Sequence, residues 1–213
     1  MECNECYSLQ RKIKRELDES VRRRLKDSLG IHRDLADSAK KQYYRTRSKA
    51  VHNKTMGDIS MIIDAGGGSG CSHIPRFSSS EKREPARHTM LKIKTTFVKV
   101  HGIGSLVVVT YPDIERQGGN LTVECIIRGI QFALNNSDIV KVRNLYIQLD
   151  NVSSNKCYTI ISSMAALVAC GLCKKIKIHY LVVGHTHEDI DALIGTCLFF
   201  LISQYCLIIN IFQ

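Results

Sequence analysis

"NLYIQLD", residues 144–150, reads as a strand that ends on an acid. What flanks it decides how that strand is used. Upstream, "NLTVECIIRGIQFALNN" is helical by the spacing of Val123, Ile126, Ile127, Ile130 and Leu134. Downstream, "NKCYTIISSMAALVACG" is an apolar helix closed by Gly171, and "KIKIHYLVVG" is a further strand. Earlier in the chain "ISMIID" (59–64) is a short buried strand that also ends on an acid. It leads into "AGGGSGCSHIPRFSSSEKREPAR", a loop rich in Gly, Ser and charge. "LKIKTTFVKV" then alternates like a strand with one wet face. "GSLVVVTY" is a more buried run, and the intervening "HGIG" suits a hairpin turn.

The expected order is β-β-β-α-β-α-β-α, which describes an α/β sheet of mixed direction. The ribonuclease H-like fold has this order. Its first and fourth strands lie side by side, so Asp64 and Asp150 are expected at neighbouring strand ends, with a third acid from the helix after the fifth strand. "HTHEDID" (185–191) begins that helix. His187, Glu188 and Asp191 share one helical face there, while Ile190, Leu193 and Ile194 look toward the core. Asp191 is therefore the expected third ligand, with Glu188 in reserve.

Carboxylates that converge repel one another, and hard divalent cations such as Mg²⁺ or Mn²⁺ relieve the repulsion. Two such ions about 4 Å apart can activate a water or hydroxyl and stabilise the leaving oxygen in phosphodiester cleavage or strand transfer. Each residue also has a plainer reading. A strand-end Asp often only forms a turn or caps a helix. His185 and His187 can cap and orient the acids as readily as bind metal.

The 213 residues allow one core of ordinary size plus an appendage. Lys and Arg number 30 against 20 acids, and residues 1–58 hold 15 bases and 9 acids, +6 of the net +10. That basic front favours polyanions, nucleic acid first and anionic membrane second, although a basic helix face is also simply a solvated one. Leu9, Ile13, Leu17, Val21, Leu25 and Leu29 mark a helix face. Gly30 is expected to interrupt, with a second stripe at Ile31, Leu35, Ala39 and Tyr43, in a helical hairpin or one kinked helix. Arg22, Arg23, Arg24, Lys26, Lys40 and Lys41 are the candidate nucleic-acid contacts. This gives a basic helical segment over 1–57 and an α/β domain over 58–195.

Nine cysteines without a secretory signal suggest a reducing compartment, nuclear or cytoplasmic. Cys170 and Cys173 read as buried thiols at a helix end. Cys3 and Cys6 have no apolar surroundings, and the alternative for them is half of a Zn²⁺ site completed by His32 or His52.

"LYIQLDNVSSNK" followed by "LVVGHTHEDIDALIG" resembles a eukaryotic, transposon-derived domain family whose members look like ribonuclease H-like integrase or DDE transposase domains. The family pattern is an acid after a first strand with a proline-bearing loop, then Asp-Asn with Asn-Lys just beyond, then Gly-His-Thr-His, two variable residues, an aliphatic residue and Asp. Here it falls on Asp64 and Pro75, on Asp150, Asn151, Asn155 and Lys156, and on Gly184, His185, Thr186, His187, Ile190 and Asp191. The "CNEC" start, with His32, Tyr43 and Tyr44 following, is similar to the segment that precedes the domain in that family. The resemblance implies a metal-dependent nuclease or transposase on DNA with Asn151, Asn155, His185 and His187 in support, or a decayed remnant that only binds nucleic acid or partners, itself included.

Two other hydrolase classes share pieces of the motif. "VVGHTH" matches the closing motif of calcineurin-like metallophosphoesterases, but that family also needs an Asp-x-His, and Asp64 is followed by Ala65 and Gly66. The metallo-β-lactamase pattern His-x-His-x-Asp-His meets Ile190 where its last histidine should stand, and Ile cannot bind zinc. From Ala192 to Gln213 there are 22 residues without a charge. Residues 196–213 are dense enough in apolar side chains to suggest a membrane tail anchor. The alternative is a truncation or a misread gene, which the family resemblance favours.

Overall fold

The computed structural model describes residues 3–65, 72–74, 91–111, 118–180, 182 and 189–203. Pro75, Gly184, His185, Thr186, His187 and Glu188 lie outside them, as does most of the Gly- and Ser-rich loop.

The front of the chain is a helical hairpin, α1 (Asn4–Arg15) and α2 (Glu19–His52). The break falls at residues 16–18, not at Gly30, through which α2 runs unbroken. Local side-chain bonds explain the break. Asp18 accepts from the amides of Ser20 and Val21 as N-cap, and Glu16 accepts from the amides of Leu17 and Asp18. Leu17 is therefore left outside in the turn, and the expected leucine stripe is split there.

After a 3₁₀ turn (Lys54–Met56) the chain enters β1 (Asp58–Ala65). The turn closes on Gly57 at φ +83°, where an added Cβ would sit 2.2 Å from the carbonyl oxygen of Lys141. β3 (Leu91–Val100) and β4 (Gly104–Thr110) follow as the expected hairpin. One strand was not expected. β2 (Ser72–Ile74), inside the stretch read as a loop, pairs with the first residues of β3.

The remaining elements are α3 (Gly119–Asn135), β5 (Asn144–Leu149), α4 (Tyr158–Ala169), β6 (Lys175–Tyr180) and α5 (Asp189–Ser203). β4–β3–β1 run antiparallel, while β1–β5 and β5–β6 pair in parallel. The order β4–β3–β1–β5–β6, with β2 added at the start of β3, is that of a ribonuclease H-like mixed sheet. Strand pleat sorts the core. Ile59, Met61 and Ile63 of β1 and Leu145, Ile147 and Leu149 of β5 bury on one face with Ile126 and Ala133 of α3 and Ile160 and Met164 of α4. α3 approaches closely at Gly129, where an added Cβ would lie 3.1 Å from Met61 and Val98.

On the other face Ile62 and Phe97 pack with Tyr43 of α2 and Ile190 and Ile194 of α5. The second half of α2 thus forms part of the sheet's cover. Its buried side is His32, Ala36, Tyr43, Thr46 and Ala50, whereas Ile31 and Leu35, expected inside, are exposed. His32 meets Cys3 of α1, while Tyr43 reaches His101 and Asp189 over the sheet, so hydrogen-bonded and small side chains, not leucines, take the inward positions. Cys173 is buried as expected, but Cys170, the C-cap of α4, is exposed. α5 continues past residue 195 to Ser203, and no described helix is long and apolar enough to cross a membrane.

Candidate active site

The last described pair between β1 and β5 is Ile63 opposite Leu149, so Asp64 and Asp150 follow as the next residues on adjacent parallel strands, about 4.8 Å apart at the backbone. By the pleat both belong to the face that α5 covers, since Ile62 and Phe97, the latter cross-strand from Asp64, pack there. The two acids line a cleft of about 220 Å³ together with Lys94, Thr96, Thr122 and Asn155, at the tips of the strands and the start of α3. They also line a smaller one beside Gln148 and Ile190.

Asp191, exposed in the first turn of α5, is the third acid of the group. Its charge reaches Asp64. The Asp64 carboxyl is pushed up to about 6, first by burial and then by the negative charges of Asp150 and Asp191, against the lowering effect of the Ala65 amide. Asp64 and Asp150 share a local arrangement: one carboxylate oxygen of each accepts the next residue's amide at 2.7 Å. That bond holds each carboxylate by one oxygen.

Asn155 fixes the connection after β5. Its Nδ2 donates to the carbonyl oxygen of Asp150 at 3.0 Å, its Oδ1 accepts from the Thr122 hydroxyl at 3.1 Å, and its own carbonyl accepts from the Tyr180 hydroxyl at 2.8 Å. Lys156 lies over the Tyr180 ring. The buried amide oxygens of Asn151 and Gln148 make no hydrogen bond among the described residues. Carboxylates and amide oxygens at the strand tips are the hard donors that Mg²⁺ and Mn²⁺ take, and the other described residues lining the clefts are apolar or hydroxyl side chains and Lys94, none of them a soft ligand.

Sequence reasoning missed Asp189. Its Oδ1 accepts from the Tyr43 hydroxyl at 2.7 Å, and its Oδ2 faces Arg47 at 3.2 Å, Lys99 at 3.3 Å and His101 at 3.4 Å. Burial alone would raise this carboxyl, but His101, Tyr43 and Lys99 together hold it well below the usual carboxylate range. The phenol of Tyr43 has a single proton, given to Asp189, so Nε2 of His101 is the donor across the 2.9 Å contact between them. Nδ1 of His101 faces the Ser60 hydroxyl at 3.0 Å. The cluster ties α2, β1, β3 and the turn after it to the first residue of α5, and so fixes the helix that carries Asp191. Lys94, the cation of the larger cleft, was missed too, because an alternating strand marks it only as a solvent-facing position.

Of the basic candidates, Arg23, Arg24, Lys26 and Lys41 are exposed, and Lys40 is half-buried. Arg22 is engaged in the hairpin turn, donating to the Glu16 carbonyl oxygen and to Glu19. Cys3, Cys6 and His32 come together at the open end of the hairpin. His52, the other histidine considered, instead bonds the Ser48 carbonyl oxygen at the end of α2.

A mixed sheet in this strand order, with acids at the tips of its two central strands, defines a ribonuclease H-like domain. The chain belongs to the family described as Domain of unknown function (DUF7869), which it matches over residues 83–201, more than half its length. Asp150 and Asp191 fall within that match; Asp64 precedes it. No curated protein matches the chain. Among solved structures, the Mos1 strand transfer complex is similar at 10% identity and a TM-score of 0.37, over 91% of this chain and 64% of that one. A pre-cleavage Mos1 transpososome gives 10% and 0.37, over 91% and 65%. The mariner Mos1 paired end complex with Mg gives 10% and 0.36, over 74% and 48%. The chain spans less than two thirds of the length of each of these.

Proposed function

We propose that the chain is a transposon-derived ribonuclease H-like protein in which Asp64, Asp150 and Asp191 hold Mg²⁺ or Mn²⁺ for phosphodiester cleavage or strand transfer on DNA. The observation that carries this reading is the side-by-side position of Asp64 and Asp150 on neighbouring strands, with Asp191 close enough to raise the Asp64 carboxyl. Asp189 is lowered by the cations and the phenol that face it; Asp64 is raised by burial and by two neighbouring carboxylates, with no cation paired to it among the described residues, the setting in which a carboxyl takes up a cation or a proton. Bound there, the metal would polarise the scissile phosphate and lower the pKa of the attacking water or hydroxyl.

The protein's own groups have distinct roles in this scheme. Asp64 and Asp150 supply anionic oxygens from a rigid sheet, each turned by the amide that its other oxygen accepts. Asn155 keeps the Asp150 backbone from swinging. Lys94 offers a cation to a phosphate entering the larger cleft. Glu188, His185 and His187 precede α5 and stand in reserve as ligand and orienting groups. The exposed bases of α2 attract the DNA backbone.

The test is nicking of supercoiled DNA in Mn²⁺ by the full chain, comparing wild type with Asp64→Asn and Asp150→Ala. Wild type is expected to nick, and both variants to lose nicking while retaining their helical content. Nicking that survives Asp150→Ala removes the assigned centre. Salt-sensitive binding without nicking in wild type marks a remnant that only binds nucleic acid. Hydrolysis of a small phosphodiester that needs His185 and His187 but not Asp64 marks a phosphoesterase instead.

A further inference from the structure

The hairpin of α1 and α2 ends in a second cluster of metal-binding side chains, separate from the acids. Cys3 is the N-cap of α1 and Cys6 lies in its first turn, and both are buried although the helix around them is mostly exposed and polar. The amide of Cys6 points at the Cys3 sulfur at 3.5 Å. Across the hairpin, Nε2 of His32 lies 3.3 Å from the same sulfur. The thiols of Cys3 and Cys6 and a ring nitrogen of His32 all lie within 4.8 Å of one another.

Hairpin geometry accounts for the meeting. The turn is centred near residues 17 and 18, so Cys3 and His32 are about equally far from it on the two antiparallel helices. A Cys-x-x-Cys pair on a helical first turn spans one turn, which sets both sulfurs on the side facing α2. For tetrahedral zinc with bonds of about 2.3 Å to sulfur and about 2.0 Å to nitrogen, a sulfur and a nitrogen ligand stand roughly 3.5 Å apart, close to the spacing seen here.

The remaining histidine nitrogen is also committed. Nδ1 of His32 faces the Glu5 carboxylate at 3.2 Å. A carboxylate on Nδ1 fixes the proton there and leaves the Nε2 lone pair toward the cysteines, the arrangement that commonly orients a zinc-bound histidine. Two buried thiols and a buried imidazole on a short, polar two-helix arm are otherwise hard to explain by packing alone. Burying so little apolar surface gives α1 weak hold on α2, and small units of this kind are commonly held by a metal or a disulfide. The cysteines are present as thiols.

We infer that Cys3, Cys6 and His32 bind one Zn²⁺ that staples α1 to α2, with Glu5 as the residue that positions His32. Zinc's fourth position is completed by a water or by a donor beyond these three. Binding displaces the two thiol protons, so metal uptake acidifies an unbuffered solution. The site neither needs nor feeds the acids at the strand tips, and its role is to hold the basic arm in one conformation.

The experiment uses the full chain, purified under reducing conditions. Metal analysis is expected to find about one zinc per chain, and Co²⁺ in its place is expected to give the absorption of thiolate-to-cobalt charge transfer. Cys3→Ser and Cys6→Ser lose both signals. Glu5→Gln keeps the ligands and weakens zinc affinity roughly 10- to 100-fold. His32→Cys replaces one good zinc ligand by another and retains the metal with a stronger charge-transfer band, which separates loss of ligation from loss of folding. Asp150→Asn keeps its zinc. No bound zinc together with no charge-transfer band in wild type overturns the proposal, and so does zinc retained by the Cys3→Ser, Cys6→Ser double variant.

Discussion

Asp64 and Asp189 have opposite electrostatics. Asp64 binds its proton more tightly in the folded chain than in the unfolded one, with a folded value of about 6. Its charged form therefore costs nothing below about pH 4, and the cost grows as pH rises to about 6 and stays constant above. Asp64→Asn removes this cost, and the metal-free variant is expected to be more stable than wild type by roughly 1–3 kcal/mol at pH 7.5, the gain vanishing near pH 4. Urea denaturation at the two pH values measures it, and a destabilised variant at pH 7.5 contradicts it. Metal binding also needs the charged form, so Mn²⁺ affinity is expected to climb between pH 5 and 7. Asp189 is depressed instead. Its stabilisation is full above the unfolded carboxylate value of about 4 and is lost as pH falls below that. Asp189→Asn leaves Arg47, Lys99 and His101 facing a neutral amide; allowing for the partial exposure of Arg47 and Lys99, a loss of roughly 2–3 kcal/mol at pH 7 is expected. Thermal melts from pH 7 down to 3 test this, the gap between variant and wild type narrowing below about pH 4 as the unfolded chain takes up a proton that folded Asp189 still lacks.

At the scale of elements, the strands and helices of the sheet were legible because each has the period its burial demands. Asp64 near the end of β1 and Asp150 just after β5 stand at the same level of the sheet, as expected from an element order that matches the ribonuclease H-like fold, whose first and fourth strands are neighbours. β2 was not legible, since three residues inside a Gly- and Ser-rich run have no period to read. The misread element is α2. Its leucines and isoleucine suggested an inner stripe, yet the inward positions are His32, Ala36, Tyr43 and Ala50, His32 meeting Cys3 of α1 and Tyr43 meeting His101 and Asp189. Asp189 was hidden for a related reason, because its four partners come from α2 and from β3 and the turn beyond it, and no local spacing joins them. The turn before β1 gives a direct check at this scale. Gly57→Ala forces a Cβ into left-handed backbone and against the Lys141 carbonyl oxygen, so a loss of about 2 kcal/mol or more is expected in chemical denaturation. An unchanged midpoint there contradicts the described turn.

For the whole molecule, charge is divided unevenly between the sheet and the hairpin. The acids sit at the strand tips while the excess of base lies on the helices at the front, and the proposed function needs that front to hold a polyanion. Replacing Arg23, Arg24 and Lys26 by Ala is expected to weaken DNA binding about equally for all sequences and to flatten its salt dependence by about 0.9 in log–log slope for each phosphate no longer neutralised. Binding curves at several salt concentrations read this, and an unchanged slope moves the DNA-binding surface elsewhere. The central claim remains that carboxylates brought from distant parts of the chain share a divalent ion. Calorimetric titration of Mn²⁺ into the full chain addresses it most directly, because a hard cation ignores the thiols of the hairpin. Binding in wild type that is abolished by Asp64→Asn and by Asp150→Asn is the predicted result; no binding in wild type, or binding that both variants keep, would contradict it.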